Sequence, residues 1–226
     1  MSGIQGSPFR RFLRVATMLT LLATPSLSVD IKTLREHAEA GDAKAQFTIG
    51  SMYENGSGVK QDYAEAAKWY RKAAERGDAR AQYNLGIMSQ NGWGVPKDDI
   101  EAAKWYRKAA MQGAASAQYN LGFMYLNGRG VPQNYAEAAK WYRKAAEQGD
   151  VDALRILGLA YYLGEWVPQD LVQSYIWFSL AASRASGDEY KQASDAKDRI
   201  AKELTPEKLR EAQRMTREWE KSHPRK

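Results

Sequence analysis

Ala117-Gln118-Tyr119-Asn120-Leu121-Gly122-Phe123-Met124-Tyr125 runs into Leu126-Asn127-Gly128-Arg129-Gly130-Val131-Pro132. Tyr135-Ala136-Glu137-Ala138-Ala139-Lys140-Trp141-Tyr142-Arg143-Lys144-Ala145-Ala146 follows two residues later. In the first stretch Ala117, Leu121, Met124 and Tyr125 fall at i, i+4, i+7 and i+8, one face of an amphipathic helix. Ala138, Tyr142, Ala145 and Ala146 repeat that spacing in the last stretch. The Gly-x-Gly between them supplies left-handed backbone positions for a tight reversal. The segment therefore predicts two antiparallel helices, A and B, joined by a glycine loop.

The unit recurs on both sides. Trp69, Trp105, Trp141 and Trp177 stand 36 residues apart, as do Gly41, Gly77, Gly113 and Gly149, and again Gly50, Gly86, Gly122 and Gly158. A fixed period of this length marks an array whose units bury their apolar faces only against neighbours. The expected fold class is all-α, a solenoid of antiparallel helix pairs. Pro96, Pro132 and Pro168 follow the loops and restart the chain at helix B. Gly77, Gly113 and Gly149 end the B helices, and Asp78 can cap the next helix A. Gly122 lies inside helix A, where glycine costs about 1 kcal/mol relative to alanine. Its recurrence predicts a close helix contact, with Ala66, Ala102 and Ala138 as the expected partners. Asn127-Gly128-Arg129-Gly130 is no phosphate cradle, because it lacks the third glycine and follows a helix rather than a strand.

The shared frame Ala-Gln-x-x-Leu-Gly-x-Met-Tyr, Gly-x-Gly-Val and Glu-Ala-x-Lys-Trp-Tyr-x-Lys-Ala-Ala resembles the Sel-one-like repeat, a relative of the tetratricopeptide repeat. Three full units at 43–78, 79–114 and 115–150 and a degenerate fourth at 151–186 carry the resemblance. It implies a right-handed α-solenoid that mediates protein–protein contacts, often in bacterial envelope assembly, signalling or host interaction.

The flanks depart from the frame. Residues 29–42 read as a lone helix B capping the N-terminal side. In the fourth unit Ile176, Ser179 and Leu180 replace Lys140, Arg143 and Lys144, so an apolar face needs a cover. The tail, 187–226, reads as a helical cap. Thr205-Pro206 starts its last helix, and Leu209, Ala212, Met215 and Trp219 form the apolar stripe.

Residues 1–28 match no unit. Arg10, Arg11 and Arg14 precede an apolar run at 15–23, and Ser26 and Ser28 flank Leu27 as at a cleavage site. This order reads as a secretory signal cleaved near Ser28, too short for a comfortable membrane span. A periplasmic or secreted bacterial protein is expected, not an integral membrane protein after cleavage. Without the three signal arginines, 30 basic side chains face 27 acidic ones, which is close to balance.

Function classes narrow quickly. The chain has no cysteine, which excludes disulfides, thiol catalysis and cysteine-ligated metals. His37 and His223 lie near opposite ends and read as solvated surface residues, so no metal site, cofactor or catalytic residue is expected. Ser57-Gly58-Val59-Lys60 and Ser194-Asp195-Ala196-Lys197 match Ser-x-x-Lys of penicillin-recognising serine enzymes. The chain lacks the companion Ser-Asp-Asn and Lys-Thr-Gly, and the other units lack the loop serine. A cell-wall-active hydrolase or β-lactam-binding protein, of the kind linked to cysteine-rich relatives of the repeat family, is the alternative reading.

Lys68, Arg71, Lys72, Lys104, Arg107, Lys108, Lys140, Arg143 and Lys144 form a basic stripe on successive B helices. Glu65, Glu101 and Glu137 lie one turn earlier and can pair with Lys68, Lys104 and Lys140. The stripe reads as a solvated helix face, and no nucleic-acid partner is expected.

The helical wheel leaves a second surface. On helix A, Tyr83 and Ile87 lie opposite the core arc Ala81, Leu85, Met88 and Ser89. Phe47 and Ser51, Tyr119 and Phe123, and Arg155 and Leu159 hold the same positions. In the tetratricopeptide relatives these positions line the concave groove. Tyr83, Asn84, Ile87, Tyr119, Asn120 and Phe123 are the expected contacts to a protein or peptide, with aromatic anchors and amides for its backbone.

Overall fold

The computed structural model describes residues 31–224. The expected signal segment 1–28 and the cleavage site read near Ser28 lie outside the described residues. Eleven α-helices follow one another with no strand among the described residues. They are α1 (Ile31–Glu39), α2 (Ala43–Asn55), α3 (Tyr63–Glu75), α4 (Ala79–Asn91), α5 (Asp99–Met111), α6 (Ala115–Asn127), α7 (Tyr135–Glu147), α8 (Val151–Leu163), α9 (Leu171–Arg184), α10 (Gly187–Glu203) and α11 (Pro206–Ser222). Helices α2, α4, α6 and α8 are the A helices, and α3, α5, α7 and α9 the B helices.

Each helix through α9 packs on those before and after it, which makes the chain a solenoid. The exception is α11, whose main partner is α9. Helices α10 and α11 therefore straddle α9, and Ile176 and Leu180 are buried there.

Local chemistry explains where the helices begin. The Asp78 carboxylate accepts from the Arg80 and Ala81 amides and caps α4, and Asp42 and Asp150 serve α2 and α8 in the same way. Asp62, Asp98, Asn134 and Asp170 cap the B helices. Helix α6 differs. Its cap position is Ala114, at φ −67 and ψ 106, which offers no side-chain acceptor. The A-to-B loops reverse through glycines in the left-handed region, Gly128 at φ 64 and Gly130 at φ 66.

The core repeats with the sequence. Ala81, Leu85 and Met88 on α4, and Ala117, Leu121 and Met124 on α6, are fully buried. So are Tyr70, Tyr106 and Tyr142 at matching places on the B helices. The atoms nearest a β-carbon on the helical glycines belong to these rings rather than to the expected alanines. The alanine position lies close as well, since Ser174 holds it in the fourth unit and donates to the Gly158 carbonyl at 2.7 Å. A β-carbon on Gly86 would stand 2.7 Å from Tyr106 Cδ1, and one on Gly122 would stand 3.1 Å from Tyr142 Cδ1. Phe178 takes the same place over Gly158. A wheel gives the face of helix B but not which turn meets the glycine, so it could not choose Tyr142 over Ala138.

Glutamines tie the units together. Buried Gln82 on α4 donates to the Ala74 carbonyl at 3.0 Å, and its own carbonyl accepts from Gln112 at 2.8 Å. Gln118 repeats the first bond to Ala110 at 3.1 Å, and accepts from Gln148 at 2.7 Å. At the C-terminal end, His223 stacks on Trp219, with centroids 4.2 Å apart and planes at 11°. It is half-buried, unlike the solvated residue expected, because Arg184 lies over the other partner of this stack, 4.8 Å from the Trp219 ring centroid.

Candidate functional site

Two long surfaces are available to a partner, and they differ in how far the chain satisfies them internally. The B-helix stripe makes most of its contacts within the chain. Lys68 and Lys140 pair with Glu65 and Glu137, the latter at 3.0 Å, and Lys104 lies 3.7 Å from Glu101. Lys72 and Lys108 sit over Trp69 and Trp105, each 4.1 Å from the ring centroid, and Lys144 lies 4.9 Å from that of Trp141. The arginines reach along the array. Arg35 and Arg143 donate to Tyr53 and Tyr161 hydroxyls at 2.9 and 2.8 Å, and Arg107 does the same to Tyr125. In the second unit Ser89 replaces that tyrosine, and Arg71 approaches Glu101 at 3.6 Å instead. The arginines thus tie neighbouring units, whereas the lysine contacts lie within single B helices, with cation–π contacts of about 0.5–1 kcal/mol each at exposed sites.

The A-helix face is built differently. Tyr83, Asn84, Ile87, Tyr119, Asn120 and Phe123 are all half-buried. The wheel set them fully opposite the core, but an A helix in an array has neighbours on both flanks. Tyr83 packs on Tyr106 with ring centroids 5.9 Å apart, and Tyr119 on Tyr142 at 5.6 Å. Ile87 and Phe123 also rest on the core. Equivalent positions on successive A helices thus present an apolar and aromatic row.

Beneath the row lies a graded series with no direct sign in the sequence. The Tyr70 hydroxyl donates to Glu54 at 2.5 Å and meets the Ser51 and Asn84 side chains. Tyr106 donates to Gln90 at 2.8 Å and meets the Asn120 amide. Asn84 and Asn120 therefore each face a buried tyrosine of the preceding unit. For Tyr142 the same positions hold Leu126 and Ile156, and its buried hydroxyl has no protein hydrogen-bond partner. The fourth unit has Phe178 there and no hydroxyl at all. An unpaired buried hydroxyl costs about 1–3 kcal/mol. Burial raises the phenol pKa of Tyr142 well above the ordinary value, with the neighbouring Tyr119 and Asp150 adding to the shift.

Elsewhere, Ser57 is exposed in the first glycine loop, and Ser194 and Lys197 lie within α10, where the Lys197 ammonium is 3.2 Å from Asp198. A cleft between α9, α10 and α11 is lined in part by Tyr175, Ser179, Tyr190, Lys197 and Arg217. Among the described residues, no helix is long and apolar enough to cross a membrane, and no cluster of three His, Asp or Glu could hold a metal ion.

Helix pairs stacked by a 36-residue period define an α-solenoid repeat protein. The Sel1 repeat pattern matches residues 43–78, 79–113, 115–150 and 151–186, and the chain belongs to that family. A Sel1 repeat protein from Oxalobacter formigenes is similar over 83% of this chain and 82% of its own, with 32% identity and a TM-score of 0.66. The structure of c5321, a protective antigen of uropathogenic Escherichia coli with an SLR fold, has 42% identity and a TM-score of 0.69. That similarity covers 73% of this chain and 35% of c5321. The secretory immunoglobulin A-binding protein EsiB of Escherichia coli O6:H1 is 42% identical over 62 residues, which is 25% of this chain and 13% of EsiB. The chain thus spans well under half of these two Escherichia coli proteins.

Proposed function

We propose that this chain is a non-enzymatic scaffold that binds a protein or peptide along its A-helix face. Tyr83, Asn84, Ile87, Tyr119, Asn120 and Phe123 form the contact surface. The observation that carries this reading is the contrast between the two long faces. The B-helix cations are bound to internal partners, whereas the A helices hold large, half-buried apolar groups in a row open to solvent. Aromatic side chains in such positions can supply about 2 kcal/mol or more each to binding. Protein interaction is the common activity of Sel1 repeats, and EsiB is by its name a binding protein. Because the likeness covers a small part of EsiB, we take from it the kind of activity and not the partner.

The same reading places the protein outside the bacterial cytoplasm, with residues 1–28 removed on export. N-terminal sequencing of protein from the envelope fraction tests this. A terminus near Val29 is expected, and an intact terminus in the membrane pellet would refute it.

Binding is tested by crosslinked pull-down from envelope extract with the purified chain and the variant Ile87→Lys, Phe123→Lys. Lysine keeps an apolar stem against the core while its ammonium stays in water and blocks an apolar partner. The variant should melt near the wild-type temperature and lose the crosslinked partner. Equal recovery by both proteins would remove the A-helix face as the binding surface. Nitrocefin turnover by the purified chain, if found, would favour the hydrolase alternative.

A further inference from the structure

The seam between the third and fourth units differs from the two seams before it. Tyr70 and Tyr106 carry their hydroxyls to the junction of two A helices, where side chains from both helices receive them. By the 36-residue period, Tyr142 brings its hydroxyl to the junction of α6 and α8. Leu126 and Ile156, which occupy the receiving positions, have no hydrogen-bonding group. Both are half-buried and pack on the core around Tyr142. Leu159 and the 43%-exposed Leu163 extend the apolar surface along α8. Phenylalanine at this place would fold as well, as Phe178 shows one unit later, so packing alone does not require the hydroxyl.

We infer that this seam is a specificity subsite that takes an apolar side chain of a bound peptide next to a hydrogen-bond acceptor, which the Tyr142 hydroxyl meets. The inference rests on the A-helix face being the binding surface. Leu126 is the next-to-last residue of α6, and being half-buried it has solvent on one side into which its side chain can turn. An acceptor entering there reaches a buried donor with no competing protein partner. The apolar side chain beside it covers Leu126, Ile156 and Leu159. The first two seams offer no such donor, since their hydroxyls are already engaged. A peptide is thus read by the third seam and only supported by the others.

The probe is a peptide enriched by panning a phage-displayed random 12-residue library on the full chain, then synthesised with a fluorescent label. Enriched sequences should share a Leu, Ile, Phe or Met adjacent to Asp, Asn, Glu or Gln. Fluorescence anisotropy compares wild type, Tyr142→Phe, Leu126→Gln with Ile156→Asn, and Ile87→Lys with Phe123→Lys. Loss of one hydrogen bond in Tyr142→Phe should weaken binding about fivefold with no fall in Tm. Leu126→Gln with Ile156→Asn supplies the missing internal partners, so Tm should hold or rise while binding falls by about tenfold or more. Tyr106→Phe should leave affinity unchanged. If Ile87→Lys with Phe123→Lys abolishes binding while the Tyr142→Phe and Leu126→Gln, Ile156→Asn variants bind like wild type, the subsite is refuted and the A-helix face stands. If no variant loses affinity, the face falls with it. Failure of the library to yield any binder would also overturn the inference.

Discussion

Replacing the helical glycines by alanine, one at a time, should separate two seams that look alike in sequence. Alanine in a helix interior gains about 1 kcal/mol over glycine, and overpacking a core costs about 1–3 kcal/mol. At Gly86 the new β-carbon stands 2.7 Å from a Tyr106 ring whose hydroxyl is held by Gln90. That ring moves at the expense of its hydrogen bond, which puts the cost at the upper end of the overpacking range, so Gly86→Ala should lose about 2 kcal/mol net once the propensity gain is subtracted. At Gly122 the contact is 3.1 Å, and Tyr142 has no protein partner at its hydroxyl to hold the ring. A shift of a few tenths of an ångström suffices there, so Gly122→Ala should be close to neutral or slightly stabilising. Urea unfolding followed by circular dichroism reads the difference. With a slope near 2 kcal/mol/M, the two midpoints should differ by roughly 0.5 M or more, Gly122→Ala being higher. A midpoint for Gly122→Ala equal to or below that of Gly86→Ala would refute the claim that hydroxyl anchoring sets the tolerance. Gly122→Leu, in contrast, should cost several kcal/mol, since its larger side chain must displace the ring outright.

Ala114→Asp should stabilise the chain by about 1 kcal/mol, because Ala114 has the backbone geometry of the capping Asp78 without its acceptor; an unchanged or lower urea midpoint would contradict this. Raising the pH should unfold the array once the unfolded chain's tyrosines ionise near about pH 10. Burial raises the Tyr70, Tyr106 and Tyr142 pKa values in the fold, so the unfolded state loses protons first and the stability present below that pH is lost above it. Phenolate absorbance and helical circular dichroism should therefore change together in a late phase; complete tyrosine ionisation with the helices intact would refute it. A chain ending at Leu204, which lacks α11, should lose the packing of Trp219 on Trp177 and melt at a lower temperature, starting from the fourth unit. An unchanged melt would show that α11 is dispensable.

The helix pairs were legible because their signals are local. The apolar spacing, the glycine loops and the aspartate caps each lie within a few residues of what they determine. Contacts between units were not legible in the same way. That the Tyr142 ring, rather than Ala138, lies nearest a β-carbon on Gly122 depends on the level at which two helices cross, and so on both backbones, which no single helical wheel contains. The glutamine relay from Gln112 through Gln82 to Ala74 was missed for a related reason: buried amides look polar on a wheel. The aromatic row of the proposed site could be read from spacing. That Asn84 and Asn120 also serve buried tyrosines could not, and neither could the contrast at Tyr142. It emerges only when three structurally equivalent hydroxyls are compared with their surroundings.

The glutamine relay has a consequence for how such an array can change length. Each middle unit carries both halves of the joint: a glutamine on helix A that reaches back to the preceding unit, and one after helix B that donates to it. A copy of residues 115–150 inserted after Asp150 would bring its own glutamine pair and find the Ala146 carbonyl for its backward bond. The fourth unit cannot be copied so freely, since Leu154 stands where Gln118 would receive the bond and Arg184 is committed to the C-terminal stack. Duplication and loss of whole units are thus open in the middle of this chain and closed at its C-terminal end, so that an ancestor or descendant could be longer or shorter while ending in the same way.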